Sequence, residues 1–169
     1  MVSDADLLRL AVSTGRQLLA ARARLCTAES CTAGWIAKVV TDVPGSSDWF
    51  DSGYVCYSNE AKVRDLGVQA QTLAAQGAVS EPVAREMAAG ALERTGADVA
   101  LAVTGIAGPT GAVAGKPVGT VWFAVAQRRG EAVEIGTRVK FFDGDRDTVR
   151  RKAVQFGLQL VQALEWPVQ

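Results

Sequence analysis

PGSSDWFDSGYVCYSNEAK, residues 44–62, gathers a serine pair, two tyrosines, an asparagine and a lysine around one short apolar run. Gly53-Tyr54-Val55-Cys56-Tyr57 has the β-branched and aromatic content of a buried strand, and Ser58-Asn59-Glu60 reads as a helix cap opening onto Ala61, Lys62 and Val63. On this reading Tyr57 stands at the strand's exit and Lys62 on the first turn of the next helix, so a phenol and an amine face one cleft. With Ser47 and Ser30 they form a candidate serine and lysine hydrolase site.

Outward from that stretch the chain alternates strands with helices. Ser3-Asp4-Ala5-Asp6 opens a packing helix, Leu25 to Glu29 is a short strand, and Ser30 and Thr32 stand where they can cap a helix over Ala33 to Thr41, ended by Pro44-Gly45. A helix is predicted from Asn59 to Leu66, a weak one over Gln69 to Gln76, and a firm one after Ser80-Glu81-Pro82, with proline in the first turn. Asp98 to Val103 is a continuous apolar strand that breaks off at Thr104-Gly105-Ile106-Ala107-Gly108-Pro109, and a Gly-rich loop at a strand end is where α/β proteins hold ligands. Val118 to Ala126 and Ala132 to Phe142 read as an antiparallel hairpin around the turn Gln127 to Glu131, and a last helix runs from Gly144-Asp145-Arg146-Asp147 to Leu164. About five strands and four or five helices in mixed order imply an α/β fold: a three-layer arrangement with a mixed sheet flanked by helices, one domain over residues 1–169.

Composition narrows the function. With 18 basic and 18 acidic residues no general pull toward nucleic acid or anionic membrane is expected. The N-terminal segment lacks the form of a signal peptide and no apolar run approaches a membrane span, so a cytoplasmic protein is expected. Three scattered cysteines, Cys26, Cys31 and Cys56, suit reduced thiols. The count of zero histidines removes the Ser-His-Asp triad, the Cys-His dyad and every His-containing zinc site. Acid-base chemistry in this chain falls to a lysine, a tyrosine or a carboxylate.

Each candidate has a plainer reading beside the chemical one. Ser30, between strand and helix, either presents its hydroxyl where backbone N–H groups converge or caps the helix. Ser47 is a nucleophile or part of a turn before Trp49 and Phe50. Topology favours Ser30 mildly, because strand exits gather on one edge of a sheet. Lys62 acts as a base only if burial or a nearby cation lowers its pKa; otherwise it is an exposed helix lysine. Tyr57 relays a proton or packs at the core's rim. Thr104 and the glycines after it approach an oxyanion or phosphate, or make a tight turn. Arg146 and Arg150, in the first turns of the last helix, suggest an anion there, although Asp145 and Asp147 can neutralise them. Lys116 lies in a segment able to fold over a ligand.

Several motifs, in order along nearly the whole chain, carry a resemblance: Thr27-Ala28-Glu29-Ser30-Cys31-Thr32-Ala33-Gly34, Gly45-Ser46-Ser47 with Trp49-Phe50, Tyr57 to Lys62, Gly77-Ala78-Val79-Ser80, Thr104 to Pro109, Lys116-Pro117-Val118-Gly119-Thr120 and Gly144-Asp145-Arg146. The chain resembles the nicotinamide-nucleotide amidase family, equivalent to the C-terminal domain of the competence-damage protein CinA. With 169 residues there is no room for the N-terminal domain of the fused form, which implies the stand-alone amidase. The resemblance implies hydrolysis of nicotinamide mononucleotide to nicotinic acid mononucleotide and ammonia in pyridine nucleotide salvage, without metal or organic cofactor, by a homo-oligomer. It implies Ser47 as nucleophile, Ser30 as a second essential hydroxyl, Lys62 as base, Tyr57 as relay and Thr104 with backbone N–H groups at the oxyanion. Gly105, Ile106, Gly108, Asn59, Lys116 and Arg146 are the expected substrate ligands, Arg146 for the phosphate. Two departures stand out: Ala33 replaces a family glycine, a change a helix should tolerate, and Thr110 to Gly115 lacks the acidic residues expected before Lys116-Pro117. The rival readings are a thiol amidase using Cys31 with Glu29 and Lys62, and a non-catalytic nucleotide-binding regulatory module tied to competence or DNA damage.

Overall fold

The computed structural model describes residues 2–166. Helix α1 (Asp4–Ala20) opens with a reciprocal cap in which the Ser3 hydroxyl accepts from the Asp6 amide and the Asp6 carboxylate from the Ser3 amide. Strand β1 (Leu25–Glu29) is buried at every position. Then follow α2 (Trp35–Thr41), a single 3-10 turn (Ser46–Asp48), β2 (Phe50–Val55), α3 (Asn59–Leu66), α4 (Ala70–Gln76) and α5 (Glu81–Glu93). Strands β3 (Val99–Gly105), β4 (Thr120–Arg129) and β5 (Ala132–Phe141) precede α6 (Arg146–Gln162).

The five strands make one sheet in the order β2-β1-β3-β4-β5, with β1 parallel to both β2 and β3, and with β3–β4 and β4–β5 antiparallel. After β1 the chain goes to one side to lay down β2 and to the other for β3. The strand order therefore reverses beside β1, and the exits of the three parallel strands share one edge, the place where open α/β sheets bind ligands.

Helices cover both faces, as the mixed element order predicts. On one side Leu7, Leu18, Ile36, Val149 and Leu158 from α1, α2 and α6 pack on Leu25, Leu101 and Phe123. Leu101, fully buried in that layer, contributes about 1.5–3 kcal/mol by leaving water. On the other side α3, α4 and α5 pack on Cys26, Ala28, Ala100, Ala102 and Ala124. The small strand side chains let these helices come close. At Gly90 in α5 an added Cβ would lie 1.7 Å from the Leu66 carbonyl oxygen, so the last turn of α3 rests directly on α5. That contact seats the helix carrying Lys62.

Some boundaries differ from expectation. The strand expected at Gly53 to Tyr57 as a buried one is the outer strand β2, shifted to begin at Phe50 and end before Cys56, with no fully buried residue. Its β-branched and aromatic content suits an edge as well as a centre. Helix α2 starts at Trp35 rather than Ala33, the β4–β5 turn is confined to Gly130 and Glu131, and there are six α-helices among the described residues. No helix among the described residues is long and apolar enough to cross a membrane.

Candidate active site

The first residue past β1 begins the site. The Ser30 amide donates to the Val103 carbonyl at 2.9 Å, extending the β1–β3 ladder by one residue, and the chain then turns as Ala33 N donates to Ser30 O at 3.1 Å. Two left-handed residues follow, Ala33 at φ 52° and Gly34 at φ 87°. The cap of α2 comes from buried Glu29, whose carboxylate accepts from the Ile36 amide at 3.0 Å and the Ala37 amide at 2.9 Å. A carboxylate there satisfies orphan donors and faces the positive end of the helix dipole. Neither Ser30 nor Thr32 caps the helix, contrary to expectation: Thr32 Oγ1 is buried without a hydrogen-bond partner among the described residues, and Ser30 Oγ faces a lysine.

Ala33 is therefore no helical substitution. It occupies a left-handed turn, which gives the glycine implied there a backbone reason, since an L residue costs roughly 1–2 kcal/mol in that conformation. Ala33→Gly is expected to raise the unfolding free energy by about 0.5–1 kcal/mol once glycine's greater unfolded-state entropy is set against the relieved strain. Urea denaturation reads this as a higher midpoint at unchanged slope; a lower midpoint would show that Ala33 is unstrained.

Helix α3 brings the lysine. Ser58 caps it by accepting from the Ala61 amide at 3.0 Å, one residue before Lys62. Lys62 is 1% exposed. Its Nζ lies 3.0 Å from Ser30 Oγ and donates to the carbonyls of Cys56 at 2.9 Å and Tyr57 at 3.1 Å. Burial holds its pKa below the ordinary lysine value, and no carboxylate stands close enough to oppose this. A neutral amine has two N–H groups and one lone pair. Two carbonyls and one hydroxyl are their complement.

Period-two alternation explains why Ser30 and Thr104 belong to one face: Cys26, Ala28 and Ser30 on one strand, and Ala100, Ala102 and Thr104 on its neighbour, all point toward α3 and α5. Buried Thr104 donates its only hydroxyl proton to the Ala78 carbonyl at 2.9 Å, which ties the α4–α5 loop to the strand exit. Beyond it, Gly105 and Gly108 are places of close approach: an added Cβ would lie 2.7 Å from Val121 and 3.1 Å from Cys31 Sγ at the first, and 2.5 Å from Val118 at the second. The Ile106 amide donates to Thr120 O at 2.9 Å. Arg146, the first residue of α6, closes the far side, donating to Gly108 O at 2.8 Å and to Tyr57 Oη at 3.0 Å. Tyr57 thus has its carbonyl on Lys62 and its exposed ring reaching to Arg146 across the mouth.

Ser30, Lys62, Tyr57, Thr104, Gly105, Ile106, Gly108 and Arg146 accordingly gather at the strand exits. Ser47 does not join them within this chain. It lies in the 3-10 turn before Phe50, which is paired with Leu25 at the entry of β1, whereas Ser30 follows the exit. The length of β1, about 16 Å at ~3.3 Å per residue, separates the two edges. A loop that enters a parallel strand cannot face one that leaves it, so the expectation that Ser47 shares the Lys62 cleft is corrected. Asn59 lines a groove between α3 and α4 with Val63, Ala70 and Leu73. Lys116 donates to Gln76 O at 2.6 Å and so fastens the 106–119 loop to the end of α4. Tyr57 meets Lys62 through its carbonyl, not its phenol. Burial pushes the Cys31 thiol up to about 12, and Glu29 is engaged at α2, both of which weigh against the thiol reading.

Two residues hold other places than expected. Glu29, read as the carboxylate of a thiol site, caps α2. Arg150, read beside Arg146 as pointing to an anion, donates instead to carbonyls 119 and 118 positions away, a contact no local pattern signals.

Residues 8–164 match the family described as the CinA C-terminal domain. The nicotinamide-nucleotide amidohydrolase PncC of Escherichia coli is 54% identical over 158 residues, which cover 94% of each chain. A putative competence-damage inducible protein of Symbiobacterium thermophilum is 54% identical over 165 residues, 95% of this chain and 38% of that one. Among solved structures, the competence damage-inducible protein A of Klebsiella pneumoniae superposes with a TM-score of 0.89 at 42% identity, covering 95% of this chain and 99% of its own. The competence/damage inducible protein of Agrobacterium tumefaciens gives 0.87 at 41% identity, covering 95% of each.

Proposed function

The chain belongs to the CinA C-terminal domain family, and from that premise we propose that it is an amidohydrolase converting nicotinamide mononucleotide to nicotinic acid mononucleotide and ammonia, a step of pyridine nucleotide salvage. The observation that carries the reading is the buried Lys62–Ser30 pair at 3.0 Å, in a chain 54% identical to an enzyme named for this activity. Neutral Lys62 takes the Ser30 hydroxyl proton while Oγ attacks the carboxamide carbon. As the C–N bond breaks, the Lys62 ammonium returns that proton to the leaving nitrogen, ammonia departs, and an ester remains on Ser30. A water molecule then gives its proton to Lys62, its oxygen adds to the ester, and Ser30 leaves reprotonated with release of the acid.

Arg146 is the proposed phosphate ligand. It is exposed at the N-terminus of α6, where the helix dipole also favours an anion. Its bonds to Gly108 and Tyr57 aim it at the mouth rather than at the Ser30–Lys62 pair. Loss of a hydrogen bond to a charged group, about 1.5–3 kcal/mol, predicts that Arg146→Ala raises KM by ~10–100-fold and lowers kcat far less. Steady-state kinetics with nicotinamide mononucleotide tests this; an unchanged KM removes the role. A homo-oligomer belongs to the same reading, supported by an outer strand, β2, that is paired on one side and carries Val55 at 53% exposure. Sedimentation tests it.

Ammonia release from nicotinamide mononucleotide, with free nicotinamide as the comparison substrate, tests the reaction itself. Turnover of the nucleotide and not of the free amide is expected. Tight binding of the nucleotide without ammonia would make the chain a nucleotide-binding module instead.

A further inference from the structure

Arg150, on the second turn of α6, pairs with no carboxylate among the described residues, whereas its neighbour Arg151 takes Asp4 and Asp147. Its Nε donates to Cys31 O and its Nη2 to Thr32 O, both at 3.0 Å, and its Cζ lies 4.9 Å from the centre of the Trp35 ring. The planar fork thus grips two successive carbonyls of the turn that follows Ser30, and stacking on Trp35 keeps it in place. That use leaves Arg150 a poor phosphate ligand, although its place near the start of α6 suggests one.

The grip has a consequence on the turn's other side. In a trans peptide the C=O and N–H point in opposite directions, so drawing Cys31 O toward α6 turns the Thr32 N–H away from α6. That N–H has no acceptor among the described residues, nor do those of Cys31 and Gly34, while those of Ser30, Ala33 and Trp35 are bonded; of the three open ones only the Thr32 N–H shares its peptide with a carbonyl that Arg150 holds. The turn holding it includes a left-handed alanine, and the Thr32 hydroxyl, itself without a partner, gives no alternative anchor. An unpaired, rigidly held N–H two residues after a nucleophile suits an oxyanion, because its orientation is set before the charge develops.

We propose that Arg150 is a positioning residue of the amidase site, holding the Cys31–Thr32 peptide so that the Thr32 N–H is a donor to the oxyanion formed when Ser30 attacks the carboxamide. The inference rests on the Ser30 reading of the site. It is tested in the full chain with Arg150→Met and Arg150→Lys. Losing one oriented oxyanion donor predicts kcat lower by ~10²-fold in Arg150→Met, with KM within about twofold of the parent. Arg150→Lys recovers part of that rate, since one ammonium reaches one carbonyl but cannot fork to both. A second readout does not depend on turnover: the Thr32 amide resonance moves in Arg150→Met while those of Leu101 and Val103 in β3 stay in place. A raised KM with intact kcat would make Arg150 a substrate ligand and overturn the proposal, as would a Thr32 amide that does not move. Should the parent protein release no ammonia, the amidase reading fails by itself, and the Thr32 resonance alone then decides whether Arg150 sets this peptide.

Discussion

Ser30→Ala is expected to lower kcat for nicotinamide mononucleotide by about 10⁴-fold or more, with the nucleotide still bound, because a nucleophile's loss removes the covalent route and leaves only binding and oriented donors. The fold should tolerate the change. Ser30 Oγ is not a helix cap, its backbone bonds to Val103 and Ala33 survive, and the volume lost is one hydroxyl. Ser47→Ala is the informative comparison. If Ser47 rather than Ser30 proved indispensable, chemistry would have to draw on a serine at the opposite edge of this sheet, which a single chain cannot bring to Lys62.

Lys62 carries the other large effect. Lys62→Met is expected to reduce kcat by ~10³-fold, within the range for loss of a general base, and Lys62→Arg equally, because a guanidinium stays protonated. Because the proposed base is the neutral amine and burial depresses its pKa, kcat/KM should rise with pH through that depressed value, below the ordinary lysine value. The sign for stability follows from the same shift. Below its folded pKa Lys62 is charged in both states and burial penalises the folded one; the penalty fades as pH rises from the folded pKa toward the unfolded one, so wild-type stability relative to Lys62→Met should rise as pH rises through that window and fall as pH falls. Urea midpoints of both proteins across that window check this. A Lys62→Arg protein that keeps its rate, or a rate flat with pH, would remove the lysine as base.

Local pattern made much of this fold readable. Leu25–Glu29 and Asn59–Leu66 stand where apolar run and cap predict, and Asp145 caps α6 by accepting from the Thr148 amide at 2.9 Å. What was not readable lay in relations between segments. That β2 is the outer strand depends on which strands pair, and its residues fit either place. The left-handed Ala33 was hidden because Ser30, Thr32 and the apolar run after them imitate a helix start, while the actual cap comes from Glu29 behind them. Parallel topology also separates the two serines. Ser47 sits closer to Lys62 in sequence than Ser30 does, yet the strand between turns that nearness into distance, and a crossover brings Ser30 to the lysine from 32 residues away.

The most direct measurement of the Ser30–Lys62 account is to quench the enzyme during turnover of nicotinamide mononucleotide and locate the acyl group by mass spectrometry of its peptides. An ester on Ser30, absent from Ser30→Ala, is expected. An adduct on Ser47 or Cys31, or turnover that persists in Ser30→Ala, would contradict it.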